Sequence, residues 1–285
     1  MSNDFFFRMG SLHTICQDYA LSGTKDGRQY ALISDGCSGQ PDPNTPGSPF
    51  TDFGSRFLVR STCRYLSEIQ ASSTITLKET FPAIKVTADA MAMARQAMLG
   101  NTALDATLVG IIQDGDAIGA FRCGDGVIAV RYRDGRIYYS TVKYGNNMPN
   151  YLRYQLEPKQ SAQYISEAKT VQYLDNYRTE QGEWGISTTS TIPLDVAAPI
   201  DALSFRREDI DLVIIFSDGV ESFQTPDNQP VSIEKVLDQV FALKGFAGRF
   251  ITRRCGMFLE RFCVENKWKH TDDLSIAGLY LGELP

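Results

Sequence analysis

Residues 105–143 constrain the fold most tightly, because four apolar runs follow one another there with almost nothing between them. ATLVGII, AIGAFRC, VIAVRYR and RIYYSTV are joined by QDGD, GDG and RDGR. A parallel pairing needs a crossover of about a dozen residues or more, and joints this short cannot supply one. Asp-Gly pairs between β-branched runs are turn formers, so the segment reads as an antiparallel meander.

The flanking segments add helices and further strands. Strand-like runs at about 14–22 and 29–34 are separated by GTKDGRQ, a hairpin signal. QPDPNTPGSPF then reads as a surface loop. Phe53, Phe57, Leu58, Tyr65, Leu66 and Ile69 recur with helical spacing. TFPAIKVTADAMAMARQAML follows, with Pro82 near its start, where proline is tolerated, and strong helix formers later. Residues 144–204 show the least periodicity. LVIIF reads as a strand, 232–244 and 249–266 as helices, and LSIAGLYL as a closing strand. Strands, two helices, strands, two helices and a last strand predict an α+β layered domain with antiparallel sheets.

Composition narrows the partners. With 43% hydrophobic and 22% charged residues, the 285-residue chain can bury a proper core. A net charge of −6 without a Lys/Arg cluster argues against nucleic acid. No apolar stretch reaches the roughly 18–20 residues of a membrane span, and MSNDFFFRMGSLH does not read as a signal peptide. The expectation is a cytoplasmic protein with no membrane partner. Six scattered cysteines with no C-x-x-C, and only two histidines, predict buried free thiols rather than a zinc site or a disulfide framework.

Two apolar runs end alike, ALISDG at Asp35 and LVIIFSDG at Asp218, and neither is followed by a matching strand. A carboxylate at the tip of a buried strand is costly to desolvate unless something positive meets it. A turn explains either one alone. Asp272-Asp273 before the last strand, Asp18 in HTICQDYA and Asp125 in RCGDGV extend the pattern. Carboxylates at strand ends, far apart in sequence, suit hard divalent cations such as Mg²⁺ or Mn²⁺. Two such cations can share a carboxylate and activate a water, a chemistry that fits hydrolysis of a phosphate monoester.

In order, QD, SDG, GDG, SDG and DD resemble the motifs of the metal-dependent type-2C (PPM) protein phosphatases. The resemblance covers about 8–143 and 205–282, and GSLHTICQDYA is most similar to a bacterial branch. It implies a four-layer α-β-β-α sandwich, two antiparallel sheets flanked by helices, forming a single domain with a variable flap at about 144–204 that sets partner choice. It also implies hydrolysis of phosphoserine and phosphothreonine in proteins, through a hydroxide at a two-metal Mn²⁺ or Mg²⁺ centre, with a weaker third ion in some members. A cognate serine/threonine kinase or its targets would be the partners.

Carried over by motif, Asp35 bridges the metals, the Gly36 carbonyl binds the first, Asp218 and Asp272 bind the second, and Asp18 with Gln17 holds metal-bound waters. Asp125 matches the third-site aspartate, but the usual partner position is Ser222, with Glu221 one place earlier. His13 stands where the family often has a phosphate-binding arginine, and Cys37 where many eukaryotic members place a histidine. A histidine is charged only below about its pKa, and a thiol is a poor general acid at neutral pH. These departures leave open a catalytically weak or silent relative serving as a regulatory binding protein. An aspartyl-phosphate mechanism is disfavoured because no Asp-x-Asp follows the first strand. His13, His270, Asp273, Cys37 and the tyrosines at 151, 154, 164, 173 and 177 all have plain packing roles as alternatives.

Overall fold

Alternation along the central strands sends every second side chain to a different layer. In Arg28–Ser34 (β3), Ala31 and Ile33 face one core while Leu32 faces another. In Ile210–Phe216 (β11), Val213 and Ile215 join that first core, whereas Leu212, Ile214 and Phe216 face a third. Strands apolar on both faces must be covered on both faces. The computed structural model, which describes residues 1–37, 50–194 and 200–282, shows how.

One sheet has seven strands, in the order Ser2–Arg8 (β1), Leu274–Tyr280 (β14), β11, Val127–Tyr132 (β6), Ile137–Tyr144 (β7), Thr170–Arg178 (β8) and Trp184–Pro193 (β9). The other has five, in the order Asp201–Arg206 (β10), Ala117–Cys123 (β5), Leu108–Asp114 (β4), β3 and Tyr19–Lys25 (β2). A short pair, Phe223–Gln224 (β12) with Lys269–His270 (β13), stands apart. Every neighbouring pair of strands is antiparallel. The sheets pack face to face through Ala31, Ile33, Val109, Ile111, Val213 and Ile215.

Helices cover the outer faces. Thr51–Arg64 (α1), Thr74–Thr80 (α2) and Ala83–Gln96 (α3) lie on the five-stranded sheet. Ile233–Phe241 (α5) and Phe250–Met257 (α6), continued by a π-helical turn and Val264–Asn266 (α7), lie on the seven-stranded one. The fold is the four-layer α-β-β-α sandwich, and the 105–143 run is not the single meander its short joints predict: β4–β5 pair in the smaller sheet, β6–β7 in the larger, and GDG crosses between the sheets instead of closing a hairpin.

Arg122 joins the two sheets from inside. Its side chain is 1% exposed, and the guanidinium donates to Asp201 at 2.8 Å within its own sheet and to the Ser140 carbonyl at 2.8 Å on β7. Such a group is tolerable in a core because each N–H finds an acceptor.

Three differences from the sequence reading stand out. The opening SNDFFFR is a strand at the edge of the larger sheet, paired in full with β14. Residues 144–204 are more regular than their periodicity predicts. They hold Pro158–Ala168 (α4), the long hairpin β8–β9 that extends the larger sheet from β7, and the start of β10. Val142, Tyr164, Ala168, Val171 and Leu194 form a small core there, with Tyr154 and Tyr173 packed against it. The surface loop expected at 40–50 lies almost wholly outside the described residues.

Candidate functional site

Strand register brings the acidic motifs to one end of the sandwich. Tyr19 pairs with Ser34, Leu108 with Cys123, and Phe216 with both Val127 and Ile276. Asp18 therefore precedes β2 and Asp35 follows β3 on the smaller sheet, while Asp218 follows β11 and Asp272 precedes β14 on the larger. Asp125 sits in the turn that crosses from one sheet to the other. Two sheets deliver five carboxyl groups to a single edge.

Asp35, Gly36, Asp125, Asp218 and Asp272 line one cavity of about 240 Å³, together with Cys37, Thr107, Asn147, Pro149 and Tyr151. Among the described residues no Lys or Arg lines it. Asp18 is buried behind it, and the Asp35 carboxyl lies within hydrogen-bonding reach of both Asp18 and Asp218. Asp18 Oδ1 and Asp218 Oδ1 are buried with no donor opposite them.

Burial and the charges of their neighbours push Asp18, Asp35, Asp125 and Asp272 up together. Desolvation raises Asp18 to about 7 and Asp125 to about 8, with the Asp218 charge adding to each. Asp35 lies well above the usual carboxylate range, through desolvation and then the charges of Asp18 and Asp218. Asp272 is raised by desolvation and Asp218, against a smaller opposing pull from His13. Buried acids that repel one another and lack donors are what a divalent cation neutralises. Among the described residues no group of three or more His, Cys, Asp or Glu closes around an ion position. The carboxyls share a cavity rather than a cage, an arrangement suited to hard cations that retain several waters.

A pH dependence follows for the metal-free protein. An unfolded aspartate ionises near 3.8, whereas folded Asp18 and Asp125 hold their protons to about 7 and about 8. Between those values the unfolded chain releases protons that the folded one keeps, so stability falls as pH rises from about 4 to about 8. Urea unfolding in chelator should show a lower midpoint at pH 8 than at pH 5. Saturating Mn²⁺ should abolish the drop. A midpoint that rises over this window would exclude the carboxyl cluster as described.

Several residues support these acids in ways that residue type and spacing do not reveal. Ser217 Oγ donates to Asp18 Oδ2 at 2.7 Å and itself accepts from the Ser275 amide at 2.9 Å, tying the two sheets together behind the cavity. The Thr107 amide donates to the Asp35 carbonyl at 2.8 Å, and the Thr107 hydroxyl accepts from the Asp35 amide at 3.2 Å. LDATLVG, which stands in place of the family's Gly-Ser/Thr-Thr turn, thus holds the backbone of Asp35. Asp273 is buried and accepts from the amides of Gly10 at 2.8 Å and Gln17 at 2.5 Å, anchoring the loop that carries Asp18.

The remaining motif residues fall into place around these. His13 stands between two acids, with Nδ1 at 3.0 Å from Asp273 and Nε2 at 3.3 Å from Asp272. Burial lowers its pKa, but the hydrogen bond and charge of Asp273, with Asp272 and Asp18, outweigh it and hold the imidazole above its ordinary value. Gln17 reaches Thr51 Oγ1 at 2.8 Å, joining the loop to α1. Ser222 Oγ donates to the Gly219 carbonyl at 2.8 Å and accepts from the Asp272 amide at 3.3 Å, a bond between the Asp218 and Asp272 segments. Glu221 lies next to it, 3.7 Å from Lys143. Cys37 lines the cavity beside the Tyr151 hydroxyl. His270 Nε2 donates to the Met9 carbonyl, 3.2 Å away, and its ring lies tilted against Phe223 at a centroid separation of 5.5 Å.

Comparison with known proteins addresses the family and the fold. The family model described as Protein phosphatase 2C matches residues 11–245. No curated protein sequence matches the chain. Among solved structures, the fold is similar to that of the serine/threonine phosphatase Stp1 from Staphylococcus aureus, at 11% identity and TM-score 0.56, over 99% of this chain and 95% of that one. The S. agalactiae serine/threonine phosphatase aligns at 12% identity and TM-score 0.54, over 99% of each chain. Serine-threonine phosphatase 2C from Toxoplasma gondii aligns at 12% identity and TM-score 0.53, over 98% of this chain and 94% of that one. With most of its length matched by the family model and the acidic motifs gathered in one cavity, the chain belongs to the protein phosphatase 2C family, whose members are metal-dependent serine/threonine phosphatases.

Proposed function

We propose that this chain hydrolyses phosphoserine and phosphothreonine in proteins at a two-cation centre formed by Asp35, the Gly36 carbonyl, Asp218 and Asp272. The observation that carries the reading is the contact of Asp35 with Asp218 in a cavity that Asp125 and Asp272 also line, and with Asp18 buried behind it. When bound, divalent cations would supply positive charge to the phosphoryl oxygens and a water acidic enough to lose its proton near neutral pH. The chain's own groups do the rest. Asp35, lying between Asp18 and Asp218, is placed to be shared. Asp18 stays behind it, fixed by Ser217, as an acceptor for a proton or for an ordered water.

Since no described Lys or Arg lines the cavity, phosphate recognition there depends on the cations. His13 is held by Asp272 and Asp273, and its role in this reading is to orient Asp272. Asp125 and the neighbouring Glu221 offer a weaker third position. The exposed mouth by Tyr151 and Asn147 belongs to the 144–204 segment, which we assign to substrate choice. No helix among the described residues is long and apolar enough to cross a membrane. A cytoplasmic phosphoprotein, a cognate kinase or one of its targets, is the proposed substrate.

The test is phosphate release from p-nitrophenyl phosphate and from a phosphothreonine peptide, with Mn²⁺ or Mg²⁺ and after chelation, beside calorimetric metal titration. Cation-dependent release from both substrates is expected. Release that persists in chelator would overturn the mechanism. Metal binding without any release would favour the regulatory binding protein instead.

A further inference from the structure

The segment that carries Asp35, Gly36 and Cys37 is backed by residues 105–107. The Cys37 amide donates to the Asp105 carbonyl at 2.8 Å, Gly36 bridges Ala106, and the Thr107 amide donates to the Asp35 carbonyl. The position of Asp35 in the cavity is therefore set by the position of Asp105–Thr107. What holds Asp105 comes from far along the chain. The Arg153 side chain, 8% exposed, donates to the Asp105 carboxylate and also to Glu157 and Gln160 at the start of α4. Glu157 in turn accepts from Asn101 Nδ2 at 2.8 Å, just before Asp105. The Arg153 guanidinium lies over the Tyr154 ring, 4.8 Å from its centroid. Tyr154 packs on Tyr151 of the cavity wall and on Tyr164 of α4, at centroid separations of 5.9 and 4.9 Å.

We propose that Arg153 is a positioning residue, coupling α4 and the Tyr151 wall to the Asp35–Cys37 segment through Asp105. A planar fork with donors on two edges holds two acids of different segments at once in a fixed geometry, which the flexible, compact ammonium of a lysine does not reproduce. The ion pair is nearly buried, so removing one partner leaves a desolvated charge and lets both segments relax. Asp35 then loses the fixed separation from Asp18 and Asp218 on which its role depends. The proposal rests on the reading of Asp35 as the shared carboxylate. It places the control of that carboxylate in the segment assigned to substrate choice, so that a bound phosphoprotein pressing on α4 acts on the same bridge.

Arg153→Met, Arg153→Lys, Asp105→Asn and the double variant Asp105→Asn/Arg153→Met test it. The double variant leaves no unpaired charge at the Arg153–Asp105 contact and keeps the comparison open should the first fail to fold. Loss of a residue that orients a metal ligand costs about 10- to 100-fold in activity or metal affinity. Arg153→Met should lower kcat on p-nitrophenyl phosphate by about tenfold or more, with KM for this small substrate changed less than about twofold. Arg153→Lys should recover only part of the loss, and the double variant should lose no more than the worse single one, as expected for residues acting as a unit. Amide exchange read at Cys37 is independent of activity. Arg153→Met should accelerate exchange at Cys37 while Ile33, inside β3, stays protected. Wild-type kcat with unchanged exchange at Cys37, or additive losses in the double variant, would overturn the coupling. A wild-type chain that releases no phosphate would sink the proposed function, and the Cys37 exchange result would then decide the positioning role by itself.

Discussion

Asp35→Asn is expected to lower kcat/KM on p-nitrophenyl phosphate about a thousandfold or more, while making the metal-free protein more stable. Asp35 touches Asp18 on its own sheet and Asp218 on the other, and each contact raises its pKa on top of desolvation. A neutral amide keeps the shape, removes one member of a repelling trio, and can donate to the Asp18 and Asp218 oxygens that now lack donors. Urea unfolding in chelator at pH 8 should therefore move to a higher midpoint. Activity moves the other way, because an amide cannot supply the charge a shared cation requires. Forfeiting several kcal/mol of charge stabilisation is worth about three orders of magnitude in rate. Opposite signs for stability and activity are the mark of a residue kept for function. A variant that retains activity, or that is less stable in chelator, would remove Asp35 from the centre of the site.

The second large effect is at Gly219, one residue past Asp218. Its backbone is of an ordinary kind, so turn geometry does not require glycine there. Close approach does. A β-carbon on Gly219 would lie 1.8 Å from the Asp273 carbonyl oxygen and 2.8 Å from its carbon. Two backbone segments meet at this point, one leaving β11 with Asp218 and the other entering β14 with Asp272. Neither can give way easily, since Ser217 is paired with Ser275 on both sides at 3.0 and 2.9 Å and Asp273 anchors the Gly10 and Gln17 amides. Gly219→Ala should cost about 3 kcal/mol or more, at the upper end for overpacking, and should weaken Mn²⁺ binding by separating Asp218 from Asp272. Gly256→Ala is the control, lying in α6 with nothing within 4 Å of its β-carbon. It should be neutral or stabilising by about 0.5–1 kcal/mol, since alanine favours a helix interior. Equal stability and equal metal affinity in Gly219→Ala and the parent would show that this approach does not assemble the site.

Both results bear on how much of the molecule its amino-acid order specifies. The hairpins β4–β5, β6–β7 and β2–β3, the helices α1, α3, α5 and α6 and the strands β11 and β14 are all legible, because apolar spacing and Asp-Gly turns are local, whereas the break of the 105–143 run at GDG is not. β1 and β10 are not. SNDFFFR and DALSFR have little pattern of their own, and they become strands by pairing with Leu274–Tyr280 and Ala117–Cys123, far away in the chain. The hairpin β8–β9 is hidden for the same reason, its tyrosines and threonines gaining their alternation only against β7. Local propensity is a weak guide where the partner supplies the stabilisation.

The candidate site divides along the same line. Asp18, Asp35, Asp125, Asp218 and Asp272 are legible as carboxylates at strand ends, and their order along the chain is enough to suggest a shared cation. Ser217, Thr107 and Arg153 are not legible, because a hydroxyl beside a strand end and an arginine in an irregular stretch look ordinary until their partners are known. Asp273 and His13 are visible as candidates, but not what they touch: His13 turns its two nitrogens toward Asp272 and Asp273. The amino-acid order alone determined which groups could bind a cation and which strands would carry them, since both follow from residue type and short-range spacing. Only the tertiary structure decided that two sheets deliver those groups to one edge, that Gly219 must stay small for them to meet, and that Arg153 stands behind Asp35. Each of those depends on a contact between segments tens to hundreds of residues apart, where strand register and the exclusion of atoms from the same space set the distances.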